Sequence, residues 1–332
     1  MTASHWAGKT VVVTGGSGFI GSHFTEELLG LGAHVVCLYR RDNRGVLPQL
    51  PRTDRLRTVR MDLRDEHALR RVFEQAPDGV DAFVHCAVVS GSQEFRRDHS
   101  ATILDANVRS VSNILETTRR YGVGEIVLLS SSDIYLSPTD QPTREEEDFT
   151  TLMRYDPDGY YLSKNYAEIL AEAYRTEHGM NIFLPRLTSV YGPRDNFEAD
   201  TDRVVPTMFG KVMSGRSIEI WGDGSQTRTY MYVTDLVRSV LRMVERNKHQ
   251  IMNVGTPETV SVLQLARMVC EALGRPEQIT FDRSKSGGRQ SRTLDLGRLH
   301  GIIDFQPLTL REGLRRTADW YLAHRTPASE AR

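Results

Sequence analysis

The chain has 332 residues, a formal net charge of -1, 39% hydrophobic content and 26% charged content. Such a composition buries a sizeable core in one large or two moderate domains and excludes disordered and collagen-like classes. Five of its 42 basic residues are lysine and the other 37 arginine, but 43 acidic residues balance them and no long basic run occurs, so neither nucleic acid nor a membrane surface is an expected partner.

The amino terminus, MTASHWAGKT, has no signal-peptide apolar core, and no apolar run approaches the roughly 18 residues of a membrane span. Cys37, Cys86 and Cys270 are odd in number and lack C-x-x-C spacing. A disulfide framework is therefore not expected, a reducing cytoplasmic setting is, and the scattered histidines give no metal motif.

Along the first half, short apolar runs at 10–14 (TVVVT), 34–39 (HVVCLY), 56–61, 82–86 and 125–130 read as buried parallel strands. Helical spacing fills 19–31, 66–75 and 100–121 between them. The alternation predicts an α/β, Rossmann-type doubly wound parallel sheet. A helix over 160–178 and a strand over 181–184 follow; from about Pro185 the pattern is irregular, with loops around 192–202 and 222–228. Helices are expected at 204–214, 235–247, 262–273 and 310–323. A dinucleotide-binding domain over 1–185, with 229–255 returning to it, and a smaller, mainly C-terminal α/β substrate domain over 186–228 and 256–332 are the expected organisation.

The first strand runs into Thr14-Gly15-Gly16-Ser17-Gly18-Phe19-Ile20-Gly21, immediately before a helix. Gly15 permits the tight turn, Gly18 lets a pyrophosphate approach the backbone and Gly21 allows close helix packing, so Ser17, Phe19 and Ile20 also fall at the cofactor. After the second strand an acid would bind a ribose 2′-hydroxyl, whereas arginine accommodates a 2′-phosphate. The sequence there is Leu38-Tyr39-Arg40-Arg41-Asp42, which favours NADP(H) over NAD(H); NAD(H) stays open if Asp42 reaches the ribose. Asp62 and Leu63 are placed to meet the adenine, or Asp62 is an ordinary helix cap.

Tyr160 and Lys164 stand four apart and share a helix face. The ammonium is expected to lower the phenol's pKa and make it a usable acid or base. Ser130-Ser131-Ser132 at the end of the fifth strand lies where such sheets bind ligands.

With TGGSGFIG, HCA at 85–87, SSSDIY at 130–135, YYLSK at 160–164, RLTSVYGP at 186–193 and GDGSQTRTYMYVTD at 222–235, the chain resembles the extended short-chain dehydrogenase/reductase family of nucleotide-sugar epimerases, dehydratases and reductases over nearly its whole length. The resemblance implies that Tyr160 is the catalytic acid/base, that Lys164 tunes it and holds the nicotinamide ribose, and that Ser131 hydrogen-bonds the reacting oxygen. It also implies that Arg228 binds the nucleotide diphosphate with help from Arg289 or Arg292, and that Ser189 and Val205 border the sugar. Ser189 stands where many relatives carry asparagine, which leaves the substrate pose less defined than that of the cofactor.

The C-terminal half, with YGPRDNF at 191–197 and RVVP at 203–206, is most similar to GDP-fucose synthases. Those enzymes epimerise beside the keto group with a cysteine and a histidine, where this chain has Asp133 and Arg203. Arginine does not readily supply a base, so reduction without full double epimerisation is expected. The leading expectation is NADPH-dependent reduction of the 4-keto group of a nucleotide-linked 4-keto-6-deoxyhexose. A nucleotide-sugar 4-epimerase is the nearest rival. A 4,6-dehydratase or decarboxylase is third, since Ser132 removes a proton donor and leaves Asp133 as the carboxylate. A catalytically silent NADP-binding sensor is the remaining class, disfavoured by the intact Ser131, Tyr160 and Lys164. The resemblance implies a homodimer through the helices at 100–121 and 160–178.

Overall fold

The computed structural model describes residues 4–135, 142–147, 158–198, 203–285, 291 and 293–324. In chain order the first half contains β1 (Thr10–Thr14), α1 (Phe19–Gly30), β2 (His34–Tyr39), β3 (Leu56–Arg60), α2 (Glu66–Glu74), β4 (Ala82–His85), α3 (Gln93–Asp98), α4 (Ser100–Arg120), β5 (Glu125–Leu128), β6 (Ser130–Ser131), α5 (Gly159–His178) and β7 (Ile182–Leu187). The second adds β8 (Ser189–Tyr191), α6 (Val204–Met213), β9 (Ile218–Trp221), β10 (Thr227–Tyr232), α7 (Val233–Arg246), β11 (Ile251–Val254), β12 (Thr259–Ser261), α8 (Val262–Ala272), β13 (Ile279–Asp282), α9 (Gly297–His300) and α10 (Leu310–His324).

The large sheet runs β11-β7-β5-β4-β1-β2-β3, with β6 extending the β5 edge of β7, and its pairings are parallel. Alternate side chains of β1 feed opposite faces. Val11 and Val13 join Phe24 and Leu28 of α1 and Leu236 and Val240 of α7. Val12 joins Ile114 and Leu115 of α4 and Ala167 and Ala171 of α5. Strands buried on both sides read as continuous apolar runs, which is why β1, β2 and β4 are plain in the sequence. The chain leaves β1 toward β2 and β3, then returns on the other side with β4, so a crevice opens at the carboxyl ends of β1 and β4.

Beyond β7 the expected boundaries shift. Pro185 does not end β7: pairing with β5 stops at Phe183 and pairing with β6 begins at Arg186, so the missing proline N–H falls in the interruption. Leu184 meanwhile donates to Gln250 O, toward β11. Residues 227 and 228, expected in a loop, begin β10, which pairs with β8 and β12 in a three-stranded sheet. β9 and β13 form a separate parallel pair. A third apolar cluster, including Phe209, Leu265 and Leu314, binds α6, α8 and α10 to these strands. No helix among the described residues is long and apolar enough to cross a membrane.

Candidate active site

Thr14, at the end of β1, accepts backbone hydrogen bonds from Cys86 and Ala87 at 3.1 Å, which draws the segment after β4 against the glycine loop. Gly15 sits at φ +70°, and a Cβ there would come within 2.9 Å of Ala87 N. A Cβ on Gly21 would lie 2.4 Å from Gly15 O. Loop and helix therefore touch through bare backbone at the N-terminus of α1, a shape that fits a dinucleotide pyrophosphate.

A cavity of about 500 Å³ extends from this loop, walled by Gly15, Ser17, Gly18, Phe19 and Ile20 and by Arg40, Arg41 and Arg44. Ser17 Oγ donates to Arg41 O at 2.7 Å and joins the loop to the segment after β2. Among the described residues the Arg40 and Arg41 side chains have no hydrogen-bond or ion-pair partner. Asp42 is not among the residues that line this cavity. Its two carboxylate oxygens accept from Val46 N at 2.8 Å and Leu47 N at 3.1 Å.

Asp62 and Leu63 line the same cavity. Asp62 is not the cap of α2: Asp65 is, accepting from Ala68 N at 3.0 Å. Asp62 takes the Arg64 guanidinium at 3.0 and 2.7 Å, and that hydrogen-bonded cation holds its carboxyl down at about 2.

A second cavity of about 490 Å³ shares Ile20, Cys86, Val88 and Arg203 with the first, so the two form one crevice. Ser131, Asp133, Tyr160, Lys164, Ser189 and Val205 line it. Asp158 fixes the start of α5 by accepting from Tyr160 N at 2.9 Å, and one turn later Lys164 Nζ donates to Leu129 O at 2.5 Å. Ser131 Oγ accepts from Asp133 N at 3.1 Å and hydrogen-bonds the Tyr160 side chain.

The electrostatics differ from expectation at one point. Burial, followed by the Asp133 charge, pushes the Tyr160 phenol up to about 12, against opposing effects of Arg96, Ser131 and Arg203. The net shift is upward with Lys164 close by, and burial brings the lysine itself down to about 8. Desolvation of a neutral phenol's conjugate base outweighs a cation 5.7 Å from the ring.

Arg228 is not among the described lining residues. It donates to Thr227 O at 2.7 Å, while Tyr230, two residues along β10, reaches the cavity. Arg289 and Arg292 lie outside the described residues. Sequence reasoning passed over Arg96, which lies with its guanidinium carbon 4.2 Å from the Tyr160 ring centroid. It also treated Arg203 only as a missing base. Arg203 borders both cavities, pairs with the buried Asp195 at 3.1 Å and lies over the Phe19 ring.

The NAD dependent epimerase/dehydratase family model matches residues 11–255. A dTDP-4-dehydro-6-deoxy-D-allose reductase from a Streptomyces species is 49% identical over 98% of this chain and 100% of its own length. A GDP-L-fucose synthase from Sinorhizobium fredii is 26% identical over 96% of each chain. Among solved structures, a dTDP-glucose 4,6-dehydratase from Streptomyces venezuelae with NAD bound superposes with a TM-score of 0.81 at 26% identity, covering 95% of this chain and 97% of that one. The chain belongs to the NAD-dependent epimerase/dehydratase family of nucleotide-sugar enzymes.

Proposed function

We propose that this family member reduces the 4-keto group of a nucleotide-linked 4-keto-6-deoxyhexose with NADPH, a dTDP-linked sugar being the first candidate. The observation that carries the reading is the 49% identity, over essentially the full length of both chains, to a reductase named for that class of substrate.

The residues of the crevice support the chemistry. The glycine loop takes the pyrophosphate, and Arg40 and Arg41, which line the cavity where Asp42 does not, are read as taking a 2′-phosphate. Bound there, the nicotinamide supplies a hydride for C4. Tyr160 donates its proton to the C4 oxygen, and Ser131 holds that oxygen by a hydrogen bond. A phenol raised to about 12 keeps its proton throughout the neutral range, which suits an acid in the reductive direction. Lys164 holds the nicotinamide ribose and fixes the Tyr160 end of α5 to the sheet through Leu129 O. Ser189 and Val205 line the crevice beside the sugar, and Arg228, outside that lining, is read with Arg289 or Arg292 as binding the nucleotide diphosphate.

Asp133 is the single carboxylate among the described residues lining the substrate cavity. With Ser132 beside it in place of an acid, elimination lacks a proton donor, and Arg203 is no base for epimerisation. β11 in the large sheet supports assigning 229–255 to the cofactor unit, leaving 186–228 and 256–332 to the substrate. The chain is further read as a cytoplasmic homodimer: its three cysteines are free thiols, and Ile169 on α5 is 46% exposed. Incubation with NADPH and a panel of dTDP-, GDP- and UDP-linked sugars tests the reaction. Net NADPH oxidation supports it, and isomer exchange without oxidation makes the chain a 4-epimerase.

A further inference from the structure

The reduction read above requires Tyr160 to lose a proton in a buried place. C4 gains a hydride, the carbonyl π pair moves to oxygen, that oxygen takes the Tyr160 proton, and a phenolate remains until solvent returns a proton. A phenolate secluded from water needs a nearby cation. Lys164 Nζ donates to Leu129 O and stands 5.7 Å from the ring centroid, and the Arg96 guanidinium carbon is nearer, at 4.2 Å.

Arg96 is held in that place from several sides. Its Nε donates to Gly91 O at 3.2 Å and its Nη2 to Ser90 Oγ at 3.3 Å. Its Nη1 lies 3.9 Å from Asp133 Oδ2 and 3.8 Å from Asp158 Oδ2. Because Asp158 also caps α5 at Tyr160 N, the guanidinium is kept in register with the helix that carries the tyrosine. A planar guanidinium stacks on a ring as a compact ammonium cannot.

We propose that Arg96, which lines the substrate cavity, joins Lys164 as a cation that stabilises the phenolate left on Tyr160 after proton transfer, a positioning residue that acts through the tyrosine. The inference rests on the reading of Tyr160 as proton donor. The charged or titratable groups around that phenol are Arg96 from α3, Lys164 from α5, Asp133 after β6, Asp158 before α5 and Arg203 before α6. Arg96 is nearer the ring centroid than Lys164, and it also faces both carboxylates. Removing it leaves Asp133 and Asp158 without that countercharge, so phenolate formation becomes harder still.

The test is a titration that needs neither cofactor nor substrate. Protein labelled with 3-fluorotyrosine, whose phenol ionises at lower pH than tyrosine, is followed by fluorine NMR, and the Tyr160 resonance is the one absent from Tyr160→Phe. In Arg96→Gln the midpoint should rise by about 1–3 pH units, and in Arg96→Lys by less. The kcat for reduction should fall on the order of tenfold in Arg96→Gln with the KM for the sugar nucleotide unchanged. An unmoved midpoint overturns the proposal, as does a higher KM with kcat preserved. If Arg96→Gln does not fold, Arg96→Lys carries the comparison, and no rise in its midpoint is the contrary result. A shifted midpoint in a protein that reduces no nucleotide sugar leaves the Arg96 assignment standing and removes the proposed reaction. An unmoved midpoint in an active reductase does the reverse.

Discussion

Glu168, one helical turn beyond Lys164 on α5, holds the guanidinium of Arg186 on β7 in a fully buried ion pair, with Arg186 Nη2 donating to Glu168 Oε2 at 2.6 Å and Nε to both carboxylate oxygens at 3.1 and 3.2 Å. Ser130 Oγ also donates to Glu168, and Arg186 Nη1 donates to Tyr135 Oη at 3.1 Å and Glu145 O at 2.7 Å. The pair thus ties α5, which carries Tyr160 and Lys164, to the strand end that carries Ser131. Removing one partner strands the other charge away from water. Glu168→Ala or Arg186→Met should lower unfolding stability by about 3–5 kcal/mol in a denaturant titration. A loss under 1 kcal/mol, the range of exposed pairs, would contradict the assignment.

Tyr160→Phe deletes the proposed proton donor and its hydrogen bond with Ser131 and leaves the ring against Arg96. Turnover should drop by about 10²–10⁴-fold, while NADPH binding measured by fluorescence stays within a factor of two or so of the parent. Turnover close to that of the parent would remove Tyr160 from the reaction.

Arg40 and Arg41 line the cofactor cavity with no side-chain hydrogen bond among the described residues, so their N–H groups are available to a 2′-phosphate. Each charge-assisted hydrogen bond contributes about 1.5–3 kcal/mol. Arg40→Ala with Arg41→Ala should therefore weaken NADPH by on the order of 100-fold or more and leave NADH nearly unaffected. Equal losses for both cofactors would show that the arginines do not read the 2′-position.

The pH profile follows from burial of Lys164. Its ammonium, brought down to about 8, is intact below that pH and lost above it, while Tyr160, pushed up to about 12, retains its proton over the same range. The kcat/KM for reduction, which reports groups of the free enzyme, should accordingly be flat below pH 8 and fall above it, and Lys164→Met should abolish that limb along with most of the rate. A profile flat to pH 10 would contradict a required ammonium.

The nucleotide-binding half was legible in the sequence because strands buried on both faces and helices buried on one leave different apolar periods. Gly15 and Gly21 were readable for a related reason: any side chain there would strike backbone. Short elements carried no such signal. α3 has six residues, too few for a helical repeat, so Arg96 was hidden although it stands over Tyr160. Pro185 suggested the end of a strand because a sequence does not show that its neighbour strand is interrupted at the same level. The direction of the Tyr160 shift was missed because spacing places Lys164 nearby but says nothing of desolvation. Glu168 was within reach, four residues past Lys164 on the same face, but its partner Arg186 is distant in sequence.

The most direct measurement is the fate of the hydride. With NADPH deuterated at the transferring position and a dTDP-linked 4-keto-6-deoxyhexose, the account predicts one NADPH oxidised per sugar consumed and deuterium at C4 of a 4-hydroxy product. A product that forms without net NADPH oxidation, or that carries no deuterium at C4, would contradict it.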